Sequence, residues 1–197
     1  MKVIKLAEDV YVVKDFVDKK YIKMLLKYYK TISEEEWHIQ DAPSNDPLSF
    51  WQGKDFMPRS RSKDPHINLH DESLRVINYE VLKLFHNTSS LIPFYTLSRI
   101  PKGYDGMAPH RDCGEEGEHS NVKYGLVLYI NDGYEGGEVF YPELNMEYKP
   151  VAGDLLIHSG QVLHGTNGVE KKDRFMITAF VRGTEKTRFI GNEQSNE

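Results

Sequence analysis

From Leu91 to Gly183 the chain is a succession of short extended runs. LIPFYTLSRI, MAPHRD, NVKYGLVLYIN, GEVFYPEL, GDLLIHS, QVLHGT and RFMITAFVRG are extended runs, all but MAPHRD carrying β-branched, aromatic or leucine residues, and Gly, Asn, Asp or Pro breaks them. Many short strands in a row, with no helical segment between them to carry a parallel crossover, predict a sandwich or jelly roll rather than a parallel α/β sheet. No internal repeat, low-complexity tract or linker interrupts the chain, so one structural domain is expected: residues 1–90 as support, 91–185 as the β core and 186–197 as a tail.

The amino-terminal half reads as the buttress of that core. Residues 10–16, VYVVKDF, form a short strand pattern, and Asp18 stands where it can cap a helix running to about Lys30. Ile22, Leu25, Leu26 and Tyr29 make one apolar stripe, with Val17 and Ile22 at the two positions of a hydrophobic staple. A second amphipathic helix is expected over about 72–87, on Leu74, Ile77, Val81 and Leu84. Between them, residues 33–70 carry Pro43, Pro47, Pro58 and Pro65 with Trp37, Phe50, Trp51 and Phe56 interleaved and no sustained period. This is the pattern of a long loop, either a lid over a site or a surface segment whose aromatics cover the core. Arg59 and Arg61 in that loop read as solvated charges, with a grip on a peptide or acidic group as the alternative.

Composition narrows the partners. With 30 acidic and 25 basic residues in 197 and a formal net charge of −5, there is no broad cationic surface for phosphates, so nucleic acid is not an expected partner. Glu8 and Asp9 break the first apolar run where a signal peptide needs its hydrophobic stretch, and no segment approaches the roughly 18 apolar residues of a membrane span. The single cysteine, Cys113, cannot form an intrachain disulfide, which fits a reducing compartment, and the cytoplasm is the expected location.

The chemistry centres on His110-Arg111-Asp112. Alternate residues of a strand point to one face, so His110 and Asp112 can present an imidazole nitrogen and a carboxylate oxygen to one point. A further strand carrying His164 could complete a 2-His-1-carboxylate face, the donor set that holds non-haem Fe(II) with positions left open. His158 is the rival third ligand, disfavoured because it precedes the turn Ser159-Gly160. Arg174, at the start of the last strand run, can hold a carboxylate through two parallel hydrogen bonds.

The ordered blocks PHRD (109–112), LYIND (128–132), GGE (136–138), PVAGDLLI (150–157), VLHG (162–165) and DRF (173–175) resemble the 2-oxoglutarate- and Fe(II)-dependent dioxygenases, within them the prolyl 4-hydroxylase-like group. The resemblance covers nearly half the chain. It implies a double-stranded β-helix, mainly β with flanking helices (α+β), with His110, Asp112 and His164 as catalytic iron ligands and Arg174 and Tyr129 binding the distal carboxylate of 2-oxoglutarate. It also implies Fe(II), 2-oxoglutarate and O2 as cofactor and co-substrates, with ascorbate as a candidate reductant of oxidised iron. Two positions depart from the group: Ile100 stands where many relatives carry a tyrosine and Met107 where a second aromatic is common. Arg174 replaces the lysine general in collagen-type enzymes. The presence of Asp112 favours hydroxylation over halogenation, since related halogenating enzymes lack this carboxylate.

The expected activity is hydroxylation of an unactivated C–H bond, on a prolyl residue of a protein or peptide, with release of succinate and CO2. A free amino acid or small metabolite is the alternative substrate, and a non-catalytic jelly roll with a remnant metal site is the alternative from another class. Gly136-Gly137 and Gly153-Asp154 read as turns. His38, His66, His70, His86 and His119, with the acidic run Glu115, Glu116 and Glu118, read as surface or solvated residues, and Cys113 as a packed residue or oxidation-sensitive thiol.

Overall fold

The computed structural model describes residues 2–33, 38–39, 52–55, 77, 79–114 and 120–192. Its strands are β1 (Lys2–Ala7), β2 (Val10–Lys14), β3 (His38–Ile39), β4 (Gln52–Asp55), β5 (Phe85–Ile100), β6 (Tyr104–His110), β7 (Val122–Tyr129), β8 (Glu135–Gly136), β9 (Val139–Tyr141), β10 (Met146–Tyr148), β11 (Leu155–Ser159), β12 (His164–Glu170) and β13 (Arg174–Phe189), with helix α1 at Lys19–Tyr29. They form two antiparallel sheets. One has the order β1-β2-β11-β7-β13-β5-β4-β3, and the other runs β10-β9-β12-β6, with β8 added against β12. This is the mainly β jelly roll that the succession of short strands predicts.

The pleat of the larger sheet sorts its side chains into two cores. Leu126, Leu128, Leu155, Ile157, Ile177, Ala179 and Val181 pack on one side with Ile22, Leu25 and Tyr29 of α1 and with Ile77, Val81 and Leu84. Their sequence neighbours Tyr129, Leu156 and Met176 turn the other way and pack with Ile100, Tyr134, Val139, Tyr141 and Val169. The same alternation places Gly125 and His158, opposite one another in the β7–β11 register, on that second face. Helix α1 starts where Asp18 accepts a hydrogen bond from Tyr21 N at 2.7 Å, and its far end is fastened by the Tyr29 hydroxyl donating to Met176 O at 2.6 Å.

Three expectations change. The chain begins with a hairpin rather than with β2 alone: β1 pairs with β2 around Glu8-Asp9, Asp9 at φ 56°. Its lysine-bearing, half-exposed residues fit an edge strand and gave no core pattern to read. The second helix does not reach Asn87. Residues 77 and 79–82 are helical, Leu84 N donates to Val81 O, and Phe85 already opens β5, because β13 continues to Phe189 and pairs Phe85 with Phe189 and His86 with Arg188. Leu74 lies outside the described residues. Within the stretch read as a long loop, β3 and β4 pair with each other and β4 with β5; Gln52-Gly53-Lys54-Asp55 has no apolar alternation to announce a strand. Trp37, Phe50, Trp51, Phe56, Arg59, Arg61, His66, His70, Glu115, Glu116, Glu118 and His119 lie outside the described residues. Among those described, no helix is long and apolar enough to cross a membrane.

Candidate metal centre and carboxylate pocket

Strands β6 and β12 pair so that His110, the last residue of one, faces His164, the first of the other. Asp112 is delivered by the bend just past β6 rather than by the strand itself, a different backbone route to the expected convergence. That bend is fixed: Cys113 N donates to Gly160 O at 2.9 Å, and Arg111 donates to Gln161 O and pairs with Glu143 at 2.6 Å. Asp112 Oδ1 then stands 3.7 Å from His110 Nε2 and 3.9 Å from His164 Nε2, with all three donor atoms within 4.8 Å of one another.

Both imidazoles are oriented from behind. Nδ1 of His110 lies 3.0 Å from Ala108 O and Nδ1 of His164 lies 3.0 Å from Val162 O, so each Nδ1–H donates to a carbonyl and each Nε2 lone pair is turned toward Asp112. Burial and the neighbouring His158 push His164 down to about 3, against a smaller opposing pull from Asp112, which keeps the ring neutral and able to ligate. Burial alone would raise the Asp112 carboxyl. The hydrogen bond from His158 and the fields of His164, His158 and His110 outweigh it and hold the group well below the ordinary carboxylate range. Two imidazole nitrogens and one ionised carboxylate oxygen, converging and partly shielded, form a donor set that suits divalent iron.

His158 lies in the same cluster in another capacity. Its Nε2 is 3.0 Å from Asp112 Oδ2 and its Nδ1 is 3.3 Å from the Tyr141 hydroxyl, so both ring nitrogens are engaged. The group of three that converges is His110, Asp112 and His164. Cys113 is half-buried with its thiol against the carbonyls of Gly114 and Ser120, and His86 is exposed on β5.

Arg174 and Tyr129 meet across the β13–β7 ladder, where Met176 is the register partner of Tyr129 and Arg174 lies two residues back on the same face. Nη2 of Arg174 is 3.4 Å from the Tyr129 hydroxyl and its carbon Cζ is 5.0 Å from the ring centroid. Nη1 donates to Gly137 O at 2.9 Å, and Nε has no partner among the described residues. The side chain is 2% exposed, and among the described residues no carboxylate lies within ion-pairing distance of it. Burial pushes the Tyr129 phenol up, the Arg174 charge opposing, so it stays a neutral hydrogen-bond donor. Ile100, the register partner of Arg174, is fully buried and adds only hydrocarbon.

Two features had no place in the sequence reading. Gly136 and Gly137 are turn residues, at φ 69° and 70°, as expected, but the turn also presents the Gly137 carbonyl to Arg174. Tyr134, just before them, is buried with its hydroxyl unpartnered among the described residues and lies within the field of Arg174. The signal available was the tyrosine preceding the double glycine.

No family model matches the chain. A PKHD-type hydroxylase of Maricaulis maris is 33% identical over 94 residues, a match covering 44% of this chain and 43% of that protein, less than half the length of the curated relative. Solved structures share the fold across nearly the whole chain. A Pseudomonas putida prolyl-4-hydroxylase superposes with a TM-score of 0.66 at 17% identity, covering 89% of this chain and 93% of the other. A prolyl hydroxylase from Trichoplax adhaerens, in complex with a hypoxia inducible factor peptide fragment, gives 0.65 at 10% identity, covering 89% and 84%. A 2OG-Fe(II) oxygenase family oxidoreductase from Burkholderia pseudomallei gives 0.61 at 11% identity, covering 92% and 90%. The chain has the fold of these two prolyl hydroxylases and of the 2OG-Fe(II) oxygenase family protein.

Proposed function

We propose that this protein is a 2-oxoglutarate- and Fe(II)-dependent dioxygenase that hydroxylates an unactivated C–H bond, with a prolyl residue of a protein or peptide as substrate. The observation that carries the reading is the pairing of a convergent His110, Asp112 and His164 with a buried guanidinium that has no carboxylate partner among the described residues. A buried, unneutralised cation is costly, and an acidic co-substrate offsets that cost by entering as the missing anion.

The residues divide the work. His110, Asp112 and His164 would hold iron, their outer nitrogens and oxygen fixed by Ala108, Val162 and His158. Iron bound there supplies the coupling of 2-oxoglutarate decarboxylation to C–H oxidation, with succinate and CO2 as co-products. Arg174 receives the distal carboxylate in a bidentate, charge-assisted contact, and Tyr129 donates its hydroxyl to the same group. Tyr141, fully buried on β9, packs in the same core as Tyr129, its ring centroid 6.2 Å from that of His164. Ascorbate would act outside this geometry, as a reductant of oxidised iron.

The prolyl assignment draws support from the solved structures named as prolyl hydroxylases, one of them with a peptide bound. It is tested by incubating the protein with Fe(II), 2-oxoglutarate and O2, with and without ascorbate, against proline-bearing peptides and free amino acids. Mass spectrometry detects gain of one oxygen atom, matched against succinate formed. Oxygen gained on a prolyl residue supports the reading; oxygen gained on a free amino acid alone moves the substrate to small metabolites.

A further inference from the structure

The Asp112 carboxylate has two oxygens with different neighbours. Oδ1 faces His110 Nε2 and His164 Nε2 at 3.7 and 3.9 Å, and Oδ2 lies 3.0 Å from His158 Nε2. An ionised carboxylate only accepts, so His158 Nε2–H is the donor, and the other ring nitrogen, Nδ1, lies 3.3 Å from the Tyr141 hydroxyl. His158 and Tyr141 are 1% and 0% exposed, so water does not compete for either bond. His158 lies on β11 in the larger sheet and Tyr141 on β9 in the smaller, so the chain of bonds ties Asp112, on the bend after β6, to both sheets.

The backbone is cut to fit this arrangement. Gly125 is the register partner of His158, and a Cβ built there would overlap both Asp112 Oδ2 and His158 Nε2. No positive φ is involved, so the glycine is needed for space alone. The one position on β7 without a side chain is the position where the hydrogen bond passes.

We propose that Tyr141 and His158 are positioning residues that hold Asp112 Oδ2 away from the metal, so that Asp112 ligates through Oδ1 alone. A carboxylate free to rotate can chelate with both oxygens and occupy a coordination position. Held by one oxygen, it leaves that position to the acidic co-substrate. The inference rests on the proposed function, since it takes His110, Asp112 and His164 as ligands, and it deepens that reading by naming what sets the ligation mode.

The test uses Co(II) as probe under argon, with dissociation constants and ligand-field spectra measured for the full chain, and with circular dichroism and thermal unfolding as controls on the fold. His158→Phe keeps a ring without a donor, and the expected result is about 10- to 100-fold weaker Co(II) binding with an altered ligand-field spectrum. His158→Gln restores an N–H donor and should recover most of the affinity, a rescue that a purely packing role would not show. Tyr141→Phe removes one oxygen and should alter the spectrum with a several-fold loss; Gly125→Ala should reproduce the His158→Phe spectrum. Folded His158→Phe with wild-type affinity and spectrum would overturn the proposal. Should that variant not fold, an unchanged spectrum and affinity in Tyr141→Phe and Gly125→Ala alike would do the same. Wild-type protein that takes up no Co(II) would defeat the ligand reading and the positioning role together, whereas wild type and variants binding alike would defeat the positioning role alone.

Discussion

Arg174 Nη2 stands 3.4 Å from the hydroxyl of Tyr129, both side chains fully enclosed, and among the described residues no carboxylate balances the guanidinium. Arg174→Gln should therefore weaken 2-oxoglutarate binding by about 10- to 100-fold or more, and Tyr129→Phe by about 3- to 10-fold, because the first removes a charge-assisted pair and the second one neutral hydrogen bond. Metal affinity should hold in both. Anaerobic equilibrium binding of 2-oxoglutarate and of Co(II) to each variant checks the split; equal loss of both ligands would show that Arg174 supports the fold and not the co-substrate.

Asp112→Ala and His164→Ala should each abolish iron-dependent succinate formation while leaving the far-ultraviolet circular dichroism spectrum unchanged. His164 opens β12 beside His110 and Asp112 lies outside any strand, so neither carries the sheet. Succinate release at wild-type rate in both variants would remove these residues from the metal.

The metal-free protein should lose stability on acidification. His164 is held near 3 in the folded chain against an ordinary 6.5, so between those values the unfolded chain binds a proton that the folded chain refuses. Stability from this group is full above about 6.5 and falls as pH falls. Asp112, also lowered, has the same sign: its contribution is present above the ordinary carboxylate value and lost as pH drops through the lowered one. Calorimetry of apo protein should show Tm dropping by about 5 °C or more between pH 7 and 4, with a shallower slope in His164→Leu. A Tm that rises toward pH 4 would contradict the sign.

Leu25, fully buried between α1 and the larger sheet, belongs to the core on the opposite face from the site. Leu25→Ala should cost about 2–5 kcal/mol of stability by urea unfolding. The same variant, at a temperature where it is folded, should bind 2-oxoglutarate as the wild type does. A parallel loss of co-substrate affinity would mean that the helix side of the sheet transmits to the site.

What could be read in the sequence was whatever depends on local order. Short apolar runs broken by turn residues specify strands, and the spacing of His110, Asp112, His164 and Arg174 over those runs was enough to propose a donor set and a carboxylate partner. The residues that set the site's finer geometry depend on register between distant strands. His158 and Asp112 are 46 positions apart, and although the turn Ser159-Gly160 told against His158 as a metal ligand, nothing in either neighbourhood tells that it meets the outer oxygen of Asp112. Gly125 has no local signal at all, since its role exists only opposite His158. The β1 edge escaped for a related reason, since an edge strand with half-exposed residues needs no apolar alternation, and Gln52-Gly53-Lys54-Asp55 of β4 carries none although it pairs on both sides.

The measurement that tests the central claim most directly is an anaerobic titration of the Fe(II)-loaded protein with 2-oxoglutarate, followed by visible absorption. Co-substrate bound at iron between the His110, Asp112 and His164 donors and Arg174 should produce a metal-to-ligand charge-transfer band that saturates, that is absent from His164→Ala, and that needs far more 2-oxoglutarate in Arg174→Gln. No band in the wild type, or an undiminished one in His164→Ala, would contradict the account and leave the fold as a jelly roll without this chemistry.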